Sequence, residues 1–332
     1  MKKAAIFPAW VRILQGRRPF LSIEITKECP LRCPGYYAYE AQHLRGVVLR
    51  ELSDFRGEEL VNGVLDIVRR YRPLHLSIVG GEPLVRYREL GVLLPKLARW
   101  KIEVQLVTSA VRPIPIAWSR IEELHLVVSV DGLQPEHDVR RFPATYERIL
   151  QNIAGHHVIV HCTITRQMLR RADDVFQFAR YWSGCPEARK IWFSLYTPQE
   201  GDCSEERLRP SDRVRVVREL ARVSQQFPKV DMPDTVLKGF LEPPASPQNC
   251  VFSQVTHCLS ADLNTRIEPC QFGGRPVCSE CGCIASAALV SVANHRLAGL
   301  VRIGNIFDLS RRFGQQVNDM VSRRSSAHEG RS

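Results

Sequence analysis

The chain has 332 residues, 44% apolar and 24% charged, a composition that suits a soluble globular protein with one large core and room for a small appendage. No apolar run approaches the roughly 20 residues of a spanning helix, and the opening KKAAIFPAW is too short and proline-broken for a signal peptide, so a cytoplasmic protein without a membrane span is expected. The net charge of +11 would raise nucleic acid as a partner, but residues 1–20 carry five basic groups and no acid, and residues 311–332 carry five basic against two acidic. Basicity gathered at the termini disfavours that partner and reads as solvated ends.

In chain order, residues 1–18 form a basic lead-in. Six short β-rich runs follow: LSIEIT (21–26), LHLSIV (74–79), EVQLVTS (103–109), LHLVVSV (124–130), VIVHCTIT (158–165) and KIWFSLY (190–196). Between them lie helical patterns. GEELVNGVLDIVRRY places Leu60, Val61, Val64, Leu65, Val68 and Tyr71 on one stripe, ATYERILQNIAG stops at Gly155, and RADDVFQFARYW is amphipathic. SDRVRVVRELARVSQQF opens on Ser211 as its expected N-cap. Strand followed by helix, six times, predicts an α/β fold with parallel strands and right-handed crossovers, either an open doubly wound sheet or a barrel-like array. FLEPPASPQ (240–248) marks a proline-rich boundary, beyond which a cysteine-rich segment carries a hairpin-like LSADLNTRIEPC, and the basic, serine-rich end from about residue 322 is expected to be disordered.

The unusual polar residues stand directly after strand ends, the edge at which parallel α/β folds carry their active sites. Cys29 and Cys33 follow the first strand four residues apart, in the spacing of an iron–sulfur loop, although position 36, where a third thiolate would fall, is Tyr36. Gly80, Gly81, Glu82 and Pro83 follow the second strand. Two glycines allow a ligand close to the backbone, and their N–H groups together with Glu82 suit an ammonium and a carboxylate. Thr108 and Ser109 end the third strand. Ser129 and Asp131 end the fourth, one residue apart and so on one side, placed for ribose hydroxyls. Arg141 follows in HDVRR as a carboxylate clamp.

This order of a CxxxC loop, GGEP, a Thr/Ser strand end and SVDG followed by an arginine resembles the radical S-adenosylmethionine superfamily over about residues 19–230. The resemblance implies a partial (β/α)6 barrel of parallel strands, residues 19–239, with a [4Fe–4S] cluster and S-adenosylmethionine at its open rim. It implies cluster ligation by Cys29, Cys33 and the residue at 36, contact of Gly80, Gly81, Glu82 and Pro83 with the methionine end, contact of Ser109, Ser129 and Asp131 with the cosubstrate, and Arg141 near its carboxylate. An external electron donor would reduce the cluster, and the resulting 5′-deoxyadenosyl radical would abstract hydrogen from a substrate, a peptide or a small molecule, that the sequence does not identify. Tyr36 departs from the pattern, because the family carries cysteine there. A phenol loses its proton near pH 10, against about 8.5 for a thiol, and is the harder ligand.

Of eleven cysteines, six fall within 34 residues: Cys250, Cys258, Cys270, Cys278, Cys281 and Cys283. Dense thiols in a segment of low apolar content point to a metal, either four thiolates on zinc or an iron–sulfur cluster. The segment, residues 240–310, resembles the SPASM/twitch appendages of radical enzymes, which implies an auxiliary cluster. Residues 311–332 complete the chain as a basic tail. Three readings stand side by side: a radical enzyme with one replaced cluster ligand, a catalytically silent relative that keeps the barrel and the metal as a scaffold, and a zinc-ribbon nucleic-acid binder, the last disfavoured by the terminal charge.

Overall fold

The structure is a computed structural model and is described for residues 6–34, 36–40, 42–171, 173–294, 296–297, 301–314 and 316. The first five residues of the basic lead-in and nearly all of the tail expected to be disordered lie outside the described residues. The lead-in itself is helical, as α1 (Ile6–Leu14).

Seven strands form one all-parallel sheet: β1 (Phe20–Glu24), β2 (His75–Val79), β3 (Glu103–Thr108), β4 (Leu124–Ser129), β5 (Val158–Ile164), β6 (Ala188–Leu195) and β7 (Thr256–Leu259). The spatial order β6-β5-β4-β3-β2-β1-β7 keeps the first six strands sequential, so each crossover steps one place in the same direction. Every strand expected from the sequence is present. β7 is additional, pairing parallel with β1 so that Ser22 faces Cys258.

The helices α2 (Gly57–Tyr71), α3 (Tyr87–Arg99), α5 (Tyr146–Asn152), α6 (Asp174–Gly184) and α7 (Pro210–Gln226) bury their apolar stripes in one core with alternate strand residues, among them Leu21, Ile23, Leu76, Ile78, Val104, Leu106, Leu126, Val128, Val160, Cys162, Ile191 and Phe193. The α2 stripe is Leu60, Val61, Val64, Leu65 and Val68, as its spacing predicts. Because the helices share one face, the sheet is a partial barrel with its other face inside. Ser211 is not the cap of α7: Pro210 takes the first helical position, where its missing N–H costs nothing, and Ser211 lies within the first turn.

Strand residues of the opposite parity face the interior. Ser77 and Val79, Gln105 and Val107, and His161 and Thr163 are each partly exposed between buried neighbours. Along β2, β3 and β5 the interior face is therefore partly open to water, while Ser22, Glu24, Val127 and Ile159 on the same face are buried.

Past the proline-rich boundary the chain continues to pack on the barrel. α8 (Asp234–Leu241) lies against α10 (Ile284–Asn294), where Gly239 touches the backbone of Ala287. After β7 a short hairpin closes through Ser260 N–H to the Thr265 carbonyl and Ile267 N–H to the Cys258 carbonyl, in the segment expected to form one. Among the described residues no helix is long and apolar enough to cross a membrane.

Candidate functional site

The rim at the carboxyl ends of β1 to β5 collects the residues singled out from the sequence. Gly80, with φ +85°, turns the chain at the end of β2 so closely to β1 that an added Cβ would overlap the Cα and Cβ of Glu24. Only glycine meets both demands. Glu82 N–H donates to the Glu28 carbonyl at 2.7 Å, fastening the GGEP turn beneath the loop that leads to Cys29. The Glu82 side chain is buried and points inward. Its carboxylate accepts from Leu84 N–H at 2.9 Å, from Ser109 N–H at 2.7 Å and from the Thr108 hydroxyl. Burial raises its pKa against these three donors, with Arg141 also acting to lower it. Pro83 opens the 3-10 turn Pro83–Arg86 that Glu82 caps.

Asp131 spends its carboxylate on the protein. Oδ2 accepts from Nε of Arg140 at 3.0 Å and Nε of Arg141 at 2.9 Å, and Oδ1 accepts from Thr163 N–H at 3.3 Å. Burial alone would raise this carboxyl, but Arg141 and Arg140 outweigh it and hold it well below the usual carboxylate range. Arg141 Nη1 also donates to the Ser109 hydroxyl at 2.8 Å, which ties the ends of β3 and β4 together. Nη2 of Arg141 has no hydrogen-bond partner among the described residues and the side chain is 16% exposed, so one arm of the guanidinium is left for a ligand at the rim. Ser129 stands two residues before Asp131 on the interior face, its hydroxyl without a hydrogen-bond partner among the described residues.

In the first loop, Cys29 Sγ accepts from Leu31 N–H at 3.4 Å. Burial pushes the Cys29 thiol up to about 11 and also raises Cys33, while the Arg141 cation opposes both shifts. Cys33 and Tyr36 line one cavity of about 320 Å³, shared with Leu31, Arg32, Tyr39 and Arg50. Tyr36 is a packed side chain. Its ring centroid lies 5.3 Å from that of Tyr37 and 5.2 Å from that of Tyr39, beside a small apolar cluster of Ala38, Leu49 and Ala261. Burial raises its phenol well above the ordinary value, so at neutral pH it is a neutral hydroxyl. For a cluster held by three thiolates, the loop therefore supplies two thiols and a protonated phenol, one soft ligand short.

Five of the six C-terminal cysteines, Cys250, Cys270, Cys278, Cys281 and Cys283, line one small cavity of about 20 Å³. Cys258 does not line it. It lies on β7 near Arg18 and Glu24, where burial pushes its thiol up to about 12. The Cys281–Gly282–Cys283 run docks on the end of β6: Leu195 N–H donates to the Gly282 carbonyl at 2.9 Å, and Gly282 N–H donates to the Thr197 hydroxyl at 2.9 Å. A Cβ on Gly282 would overlap the Leu195 carbonyl, which explains the glycine between the two thiols. Burial raises Cys270, Cys278, Cys281 and Cys283, with neighbouring thiols adding to each shift. Five soft donors around one pocket are the donor chemistry of a thiolate-ligated centre, whose charge would offset the cost of ionising them. No three His, Cys, Asp or Glu side chains among the described residues converge closely enough for a single ion.

A buried pair not singled out from the sequence joins the two thiol regions. Glu24, at the end of β1, accepts from the Ser260 hydroxyl at 2.6 Å and meets His43 Nε2 at 2.8 Å. His43 Nδ1 lies 2.9 Å from the Phe272 carbonyl, two residues past Cys270. A carbonyl only accepts, so Nδ1 carries the proton in this bond. The Tyr37 ring bridges the same gap, 5.4 Å from His43 and 5.1 Å from Phe272.

No protein-family profile and no curated protein matches the chain. Solved structures do share its fold. SuiB of Streptococcus suis bound to S-adenosylmethionine superposes with a TM-score of 0.52 at 12% identity, covering 74% of this chain and 57% of that one. SuiB bound to precursor peptide SuiA gives 0.57 at 13%, over 88% of this chain and 65% of the other. Native anSMEcpe with bound AdoMet gives 0.56 at 18%, over 76% and 74%. The chain thus spans under two thirds of the length of the SuiB chains.

Proposed function

We propose that this chain is a radical S-adenosylmethionine-type protein that binds S-adenosylmethionine at the barrel rim and holds a thiolate-ligated auxiliary metal centre in the C-terminal pocket. The observation that carries this reading is the open arm of Arg141, which Asp131 and Ser109 orient beside Cys29, Cys33 and the GGEP turn. A free guanidinium arm in that place suits the carboxylate of a bound amino acid. The fold shared with two structures that hold S-adenosylmethionine supports it.

The [4Fe–4S] cluster of such enzymes would supply the electron that cleaves the sulfonium and starts hydrogen abstraction from substrate. This chain offers Cys29 and Cys33 to it, with Tyr36 where the third thiolate belongs. The residues do not make a full three-thiolate site, and on this reading the unaltered chain performs that chemistry slowly or not at all. What its own residues do is bind and orient: Glu82 fixes the GGEP turn, Asp131 aims two guanidiniums, and Ser129 is left to meet ribose. Cys250, Cys270, Cys278, Cys281 and Cys283 offer the auxiliary centre one thiolate more than four ligands require. The second reading, a silent scaffold with the same pockets, is favoured by the packing of Tyr36 among its neighbours.

Calorimetry with S-adenosylmethionine tests the binding claim. The unaltered chain should bind, and Arg141→Gln should bind at least about tenfold more weakly, the loss of one charge-assisted contact. No binding, or equal binding by both, would contradict the assignment of the rim.

A further inference from the structure

The two basic ends that the sequence holds far apart meet in the fold. A last helix, residues 303–314, returns to α1, and Gly314 lies so close that an added Cβ would meet the Ile13 and Leu14 carbonyls and the Gly16 nitrogen. The junction is at the amino ends of the strands, opposite the rim. Gly16 shortly precedes β1, Arg72 shortly precedes β2, and Arg18 Nη1 donates to the carbonyl of Thr256, the first residue of β7, at 3.0 Å.

Cations outnumber carboxylates there. Burial lowers the Arg12 guanidinium, and the Arg17 and Arg72 cations lower it further. Burial also lowers Arg18, with Arg266 and Arg311 adding to the shift and Glu268 opposing it. Residues 1–20 contain no acid, and Asp308 is the one acid of the last helix. Arg12, Arg17, Arg18 and Arg72 form no ion pair among the described residues, and Glu268 is already paired with Arg45.

Large apolar side chains stand out among these arginines. Phe7 is 77% exposed and Leu14 39%, seven residues apart and so on one side of α1; Leu309 is 70% exposed and Phe313 58%, four residues apart on the last helix. Single exposed apolar residues are ordinary. Four large ones on two touching helices, set among cations, make an unpartnered amphipathic face.

Charge selects what covers it. A second copy of the chain would bring the same cations against themselves, and residues 311–332 carry the same sign, five basic against two acidic. Nucleic acid would answer the arginines but offers nothing to Phe7, Leu309 and Phe313. An anionic bilayer meets both, with headgroup phosphates for the guanidiniums and the acyl boundary for the apolar side chains. We infer that α1 and the last helix together form a docking surface for an anionic phospholipid bilayer, on which the chain rests without spanning it. The rim then faces away from the lipid.

Co-sedimentation of the full chain with vesicles tests this, without S-adenosylmethionine or metal, so the outcome is independent of the rim assignment. At about 0.1 M salt the unaltered chain should bind phosphatidylcholine vesicles containing about 30% phosphatidylserine and scarcely bind phosphatidylcholine alone. Arg17→Gln with Arg72→Gln should bind about 25-fold more weakly, at about fivefold for each basic side chain near an anionic surface. Phe7→Ser with Phe313→Ser should bind about tenfold more weakly, through lost apolar burial. All four side chains are exposed, so urea midpoints should match that of the unaltered chain. Equal binding to both lipids by the unaltered chain, or full affinity in the serine variant, would overturn the inference. Two further outcomes would overturn it by reassigning the face: duplex DNA that displaces the chain from vesicles and is bound equally by the serine variant, or a dimer that the serine variant converts to monomer.

Discussion

Gly80→Ala isolates the packing that sets the first loop on the second strand. Two penalties apply at this position. The left-handed φ of +85° costs a non-glycine residue roughly 1–2 kcal/mol. The new methyl would also fall within contact distance of the Glu24 backbone and side chain, with Cγ at 2.9 Å, and overpacking of this kind costs a further 1–3 kcal/mol or so. Gly201 separates the two effects, since its φ of +78° is nearly the same and nothing lies within 4 Å of its added Cβ. Gly201→Ala should lose only the backbone term, and Gly80→Ala should be less stable than Gly201→Ala by about 2 kcal/mol. In urea, with an m-value of roughly 3 kcal/mol/M or more for a chain of this size, the two midpoints should differ by up to about 0.7 M. Gly80→Ala should also weaken S-adenosylmethionine binding, because relieving the overlap with Glu24 displaces the GGEP turn. Equal midpoints for the two variants would refute the claim that the close approach of β2 to Glu24 shapes the site.

Replacing Cys278 and Cys281 together by Ser should abolish metal binding at the C-terminal pocket and lower thermal stability, whereas Cys258→Ser should retain both; metal analysis of the purified chains decides, and loss in the Cys258 variant would put the sixth thiol among the ligands. His43→Ala strands the Glu24 carboxylate in the core and should cost about 3–5 kcal/mol in denaturant unfolding, with His43→Gln costing less. The buried His137 and the half-buried His75, His161 and His257 are each lowered to about 4, so the folded chain resists protonation that the unfolded chain accepts near 6.5. The stability they contribute is present above pH 6.5 and lost as pH falls from there toward 4. His137→Gln should reduce the slope of stability against pH in that window by up to roughly 1.4 kcal/mol per unit, and an unchanged slope would contradict the cause assigned.

Much of this was legible in the sequence, for reasons that particular residues make plain. The strand and helix alternation names every strand of the first six, because parallel strands under helices are apolar and sharply bounded. A further signal lies in the same runs. LSIEIT alternates apolar with polar residues, and a parallel strand covered on both faces would not. Ser22 and Glu24 mark a polar, buried part of the interior face, and Glu24 in particular announces the buried pair with His43. β7 escaped because THCL has four residues and follows a short helix without a turn signal. The thiol spacing counts six candidates but does not say that Cys258 is carried away on β7, since that depends on strand pairing 236 residues distant in sequence, at Ser22. Ser211 illustrates a local rule overridden by its neighbour, because Pro210 claims the start of α7. The rim residues were found by their order along the chain. Which carboxylates serve the protein rather than a ligand emerged only from their hydrogen bonds, as with Asp131 between two arginines.

The most direct test of the central claim is an anaerobic iron count on the unaltered chain and on Tyr36→Cys, each reconstituted identically with iron and sulfide. On the reading proposed above, the first loop keeps the shape of a cluster site and lacks one soft ligand. Tyr36→Cys should therefore bind about four more irons per chain than the unaltered protein, the content of one [4Fe–4S] cluster. Under reduction it should begin to release 5′-deoxyadenosine from S-adenosylmethionine. If Tyr36→Cys gains no iron, or if the unaltered chain already cleaves the cosubstrate at the same rate, the first loop is not a cluster site with a replaced ligand.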